Sequence, residues 1–147
     1  MHIRLLILCS LVAVHACGAQ ERRERAGEVT REVRAEPAIA LGLRSADAAV
    51  RAAAQAVAAG TPWIATLRVA PALAEPARRT PEARLVAARA AAGWEGWSEV
   101  ERQLAGQPWL GELAAGEGHV LLARAALARG ADSAALPHAE AAARAPV

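Results

Sequence analysis

The chain has 147 residues, enough for one domain besides any address segment, and its 54% hydrophobic share is supplied largely by alanine. Phe and Tyr are absent, and all 17 basic residues are Arg, opposed by 15 Asp plus Glu. The net charge of +2 is small and the signs are interspersed, so no basic stripe exists and nucleic acid is excluded as the expected partner. Alanine loses no side-chain entropy on entering a helix, and strand formers are sparse, so the composition predicts an all-α fold.

Residues 1–19 read as a secretory signal. Arg4 precedes an apolar run from Leu5 to Val14, which is too short to span a bilayer but fits the core of an export signal. "Val14-His15-Ala16-Cys17" resembles a bacterial lipobox, which implies that Cys17 is acylated and becomes the mature N-terminus. His15 departs from the small or aliphatic residue usual at its place. Ordinary cleavage after Ala16 or Ala19 is the alternative, giving a soluble periplasmic or secreted protein. Cys9 falls in the removed segment, so Cys17 has no partner for an internal disulfide, and acylation accounts for it. Gly18 resembles the following residue of lipoproteins sent to the outer membrane. Residues 20–44 begin with "QERRERAGEVTREVRAEP", a segment ending at Pro37 that alternates in sign and carries almost no large apolar group. They are expected to form a solvated tether.

Residues 45–147 are expected to fold as six helices in three antiparallel pairs. Ser45 caps the first, which runs to Gly60 with Asp47 in its opening turn. Thr61-Pro62 starts the second, with Trp63, Ile64, Leu67 and Val69, fraying near Pro71 and Pro76. Thr80-Pro81-Glu82 repeats that start, and the third helix stops at Gly93. A fourth spans about Gly96 to Ala105, a fifth about Glu117 to Arg129, and a sixth opens at Asp132 or Ser133 and runs toward Arg144. The turn glycines Gly60, Gly93 and Gly130 are 33 and 37 residues apart, near the period of about 34 of tetratricopeptide repeats. Five residues beyond each stand Ala65, Ser98 and Ala135, small enough for two helices to cross. "LLARAALARGADSAALPHAEAAARAP", Leu121 to Pro146, resembles the tetratricopeptide pattern, with Ala123, Gly130, Ala135, Ala139 and Ala142 at its small and turn sites. The consensus aromatic sites are absent. The resemblance implies a short solenoid whose concave face binds a partner.

Four tryptophans are the only aromatic residues. Trp63 and Trp94 follow the turn glycines, and Trp97 and Trp109 flank the fourth helix. Among alanine-lined helices they are expected to be wedges between hairpins, with an exposed stacking surface as the alternative. Leu136, on the last helix, marks an apolar face that no further repeat covers and is expected to be an open docking edge.

Catalytic patterns are missing. His119 and His138 stand on different predicted helices, no Cys or His pair has metal-ligand spacing, and neither a phosphate loop nor a nucleophile elbow occurs. Glu99 and Glu101, two apart on a helix, do not face each other. No cofactor or metal is expected. "PWIATLRVAPALAEPARRTPEARLVAARAAAGWEGWSEVERQLAGQPWL", Pro62 to Leu110, resembles the alanine-rich superhelix preceding the catalytic domain of soluble-type lytic transglycosylases. Those envelope enzymes cleave peptidoglycan through a Glu followed by Ser, a dipeptide absent here. The expected function is therefore an envelope-anchored scaffold, not an enzyme by itself, that binds an envelope protein or peptidoglycan and is held to the membrane by a lipid. Its expected location is the periplasmic face of the outer membrane. The alternative is the front part of a lytic transglycosylase.

Expressed in a diderm bacterium, the chain is expected to incorporate labelled fatty acid, and Cys17→Ser to export without label. A wild-type product that is exported unlabelled, with its N-terminus at Cys17 or Gln20, would sink the lipobox reading.

Overall fold

The computed structural model describes residues 36–146. The signal segment, Cys17 and residues 20–35 of the expected tether lie outside the described residues. The fold is all-α, with seven helices in sequential antiparallel contact: α1 (Pro37–Leu43), α2 (Ala48–Ala58), α3 (Pro62–Ala74), α4 (Pro81–Gly93), α5 (Trp97–Leu104), α6 (Glu117–Ala128) and α7 (Asp132–Arg144). Short 3₁₀ turns, Pro76–Arg78 and Ala114–Gly116, precede α4 and α6.

α4 is the hub. It touches α1, α2, α3, α5 and α6, and eight of its 13 residues are buried. Ala83, Val86, Ala87 and Ala90, at spacings of three and four, face a cluster with Val50, Ala53 and Val69 of α2 and α3. Leu85, Ala88, Ala91 and Ala92 belong to a second cluster with Ala38, Val100, Leu104 and Leu121. A helix buried on two faces belongs inside, and its small side chains leave room for five neighbours.

The three hairpin turns α2–α3, α4–α5 and α6–α7 share one geometry. In each, a main-chain N–H reaches back five residues: Thr61 to the Ala56 carbonyl at 2.9 Å, Gly96 to Ala91 at 2.9 Å, and Ala131 to Ala126 at 3.0 Å. The residue before that donor is left-handed: Gly60 at φ 72°, Glu95 at φ 62° and Gly130 at φ 70°. The turn residue of the middle hairpin is thus Glu95, not the expected Gly93. With it the spacing becomes regular, Glu95 standing 35 residues from both Gly60 and Gly130. The crossing position five residues on becomes Ala65, Val100 and Ala135, all buried. Ser98, expected there, is exposed because α5 buries Val100, Gln103 and Leu104 instead.

Other expectations are corrected at the edges. Residues 37–43, assigned to the tether, form α1. Ala38 and Ile39 are buried, and a methyl group built on Gly42 would sit 2.5 Å from Val86 Cγ2. Polar groups hold α1 there: Arg89 of α4 pairs with Glu36, and Glu117 of α6 accepts the Ala38 N–H at 2.6 Å. Burial pushes the Glu117 carboxyl upward, against the pull of that N–H and of Arg89. α3 runs through Pro71 without a break and ends at Ala74, two residues before Pro76, and Arg79 donates to the Leu73 carbonyl at 2.6 Å and so covers a terminal acceptor.

The cap of α2 is Asp47 rather than Ser45. Its Oδ1 accepts from the N–H groups of Ala49 (2.8 Å) and Val50 (3.3 Å), and Arg78 closes on it from the 3₁₀ turn at 2.8 Å. The Arg78 hydrogen bond holds the Asp47 carboxyl down at about 2, helped by the two N–H groups and opposed by burial. A lowered carboxyl binds fewer protons folded than unfolded, so its contribution is complete above the ordinary value near 3.8 and is lost as pH falls through about 2. Asp47→Ala is expected to cost about 1 kcal/mol at neutral pH, as other lost caps do. Urea denaturation of both proteins from pH 7 to pH 2 checks this, with the gap narrowing only below about pH 4.

Candidate binding groove

Proline at the start of α3 seats Trp63 at the second helical position, and Gly93 closes α4 directly beside it. A Cβ at Gly93 would lie 2.6 Å from Pro62 Cβ, so the end of α4 and the start of α3 meet. That contact brings together two indoles 31 residues apart in sequence. The Trp63 and Trp94 rings meet edge to face, with centroids 5.5 Å apart and planes at 80°. Trp94 is fixed twice over. Its Nε1 donates to Thr66 Oγ1 at 3.0 Å, and its ring folds back over Gly96 so closely that any Cβ there would fall 2.1 Å from the ring. A larger residue at that position would have to displace the Trp94 ring.

The two rings stand at one end of a groove of about 740 Å³ between α3, α4 and α5. Val69, Ala70, Leu73 and Ala87 give it apolar walls. Three arginines and one carboxylate also line it. Glu99 is satisfied by Arg102 and by the Gln103 amide at 2.7 Å. Arg79 donates to main-chain carbonyls of α3, and Arg84 to the Gln103 carbonyl at 3.4 Å. Neither has a carboxylate partner among the described residues, so the groove carries two uncompensated positive charges. Aromatic faces, aliphatic walls and unpaired guanidinium groups together suit an elongated ligand with apolar groups and at least one anionic group.

The expected surface residues therefore divide. Trp63 (58% exposed) and Trp94 (38% exposed) are not wedges, because no helix among the described residues covers the start of α3 and the α4–α5 turn. Trp97 and Trp109 are half-buried and pack on the cluster built around Leu85, Leu104 and Leu121. The guanidinium of Arg124 lies 5.5 Å over the Trp97 ring. Leu136 is 60% exposed on α7, apart from the groove. His119 and His138, expected to stand alone, are neighbours across α6 and α7, with Nδ1 atoms 3.2 Å apart. Burial, and then the charge of His138, push His119 below the usual imidazole value.

No family model, curated protein or solved structure matches this chain.

Truncating the two kinds of tryptophan is expected to have opposite consequences. Trp97→Ala should lower stability by about 2–3 kcal/mol, less than a fully enclosed indole would. Trp63→Ala should stay within about 0.5 kcal/mol of wild type and remove the emission component most accessible to acrylamide. Equal melting of the two variants would overturn this division.

Proposed function

We propose that the chain is an envelope-anchored scaffold: a short tetratricopeptide-like solenoid of three hairpins, with α1 as an added flank, tethered through an acylated Cys17. In this reading it stands at the periplasmic face of the outer membrane and binds an envelope protein or peptidoglycan through the Trp63–Trp94 groove. The observation that carries the reading is the groove itself. Two large indoles are left exposed beside aliphatic walls and Arg79 and Arg84, in a chain whose other two tryptophans, Trp97 and Trp109, pack on the core. The 35-residue recurrence of one turn geometry supports the solenoid, and solenoids work through the surface their repeats share. The reading assigns no catalytic residue. The likeness of Pro62–Leu110 to the lytic transglycosylase superhelix favours a second reading, the front part of such an enzyme. A lysozyme-like domain encoded downstream of Val147 would decide for it.

The test is a photo-reactive residue placed at Ala70 inside the groove and, as a control, at the exposed Gln55 of α2. In living cells, Ala70 is expected to capture a discrete envelope protein or glycan, and the yield should fall at least about tenfold when Trp63 and Trp94 are both alanine, the cost of losing one or two aromatic contacts. Identical capture from Gln55, or capture indifferent to the two indoles, would overturn the assignment.

A further inference from the structure

The facing imidazoles of α6 and α7 carry an inference independent of the groove. We infer that His119 and His138 form an open two-histidine site for a borderline divalent metal ion, zinc before others. Zinc binds imidazole nitrogen at about 2.0–2.1 Å, so two nitrogens on one tetrahedral edge stand about 3.3–3.4 Å apart. A cis pair on a square-planar ion with the same bond lengths would stand about 2.8–3.0 Å apart. The observed Nδ1···Nδ1 separation is 3.2 Å, close to the tetrahedral edge.

The chemistry of the pair agrees with that geometry. As a direct hydrogen bond, the contact requires one Nδ1 to keep its proton while the other offers a lone pair. A metal ion takes the place of that single proton and accepts both lone pairs, leaving each Nε2 to carry the ring N–H. The rings are tilted by 31° with centroids 5.5 Å apart, so they are not stacked face to face. Nor do they sit on mobile segments. Both belong to helices whose contact is fixed by buried Ala123, Ala126 and Ala135.

The site is open. Both histidines are half-buried, and His138 also lines a shallow pocket of about 320 Å³ beside Glu101 and Arg129. Glu101 is paired with Arg129, and no group of three metal-binding side chains occurs among the described residues. Water or a group from a partner would fill the two remaining tetrahedral positions, one more than a three-ligand catalytic zinc site leaves open. Hard cations such as calcium and magnesium, which take oxygen ligands, are not candidates. Binding would clamp α7 to α6, where only Ala135 of α7 is otherwise buried.

The full chain, purified without a histidine tag and freed of metal, is titrated with zinc chloride by calorimetry alongside His119→Gln and His138→Gln. Wild type is expected to bind one ion more than either variant, or to bind at least about tenfold more tightly, as loss of a metal ligand's support already costs 10–100-fold. The melting midpoint should rise with zinc in wild type only, while all three proteins melt alike without metal. Cobalt(II) should give wild type, but neither variant, the intense visible band of tetrahedral coordination. Equal zinc affinity in all three proteins, or a zinc-dependent melting shift that survives both substitutions, would overturn the site.

Discussion

Everything in this fold depends on how closely other helices approach α4. Its two faces are both buried, and alanine supplies six of its eight buried positions. A helix clothed in methyl groups presents a narrow cylinder, so neighbours settle near its backbone and dispersion contacts replace bulky side chains. That is how a chain without Phe or Tyr assembles one connected structure from seven short helices. The same closeness makes it intolerant of growth: Gly42 already lies against Val86 and Ala54 with no room for a methyl group.

The groove follows from this constraint. Because α4 ends against the start of α3, the Gly93–Pro62 contact sets the place where Trp63 emerges and where the chain must reverse into α5. The reversal puts Glu95 in a left-handed conformation and folds Trp94 over Gly96, so the second indole lands beside the first. Close packing of small residues has no internal gap for two such rings. They stay outside, where they border a cleft with Arg79 and Arg84.

The two ends of the helical array are finished differently. At the first, α1 is drawn in by charged groups: Arg89 reaches from the hub to Glu36, and Glu117 accepts the otherwise unpartnered N–H at the start of the helix. At the other, α7 rests on α6 and the neighbouring 3₁₀ turn and buries only Ala135, and both Leu127 of α6 and Leu136 of α7 stay outward. The pairing of His119 with His138 lies at this less covered end, where an added tie between α6 and α7 has most to hold.

By itself, the sequence determined the helical class and most helix boundaries. Alanine propensity and proline at first-turn positions act within a few residues and need no partner to be read. It also marked two of the turns, since Gly60 and Gly130 take a left-handed conformation through backbone freedom alone. What it did not determine was anything set by approach between distant residues. Glu95 occupies a conformation that glycine usually takes, because the neighbouring Gly96 is required for a different purpose, to admit the Trp94 ring. α1 follows directly on a charged stretch and is only seven residues long, too short to stand out beside it, and its place is set by Ala38 and Gly42 fitting against residues of its neighbours. The four tryptophans are alike in sequence, and only the positions of α3, α5 and α6 decided that two would be half-buried and two exposed. The histidines were separable in principle, because a hairpin turning at Gly130 brings residues on either side into reach. Their 3.2 Å contact, however, depends on the rotation of α7 against α6, which the buried alanines of that pair fix and no local signal encodes.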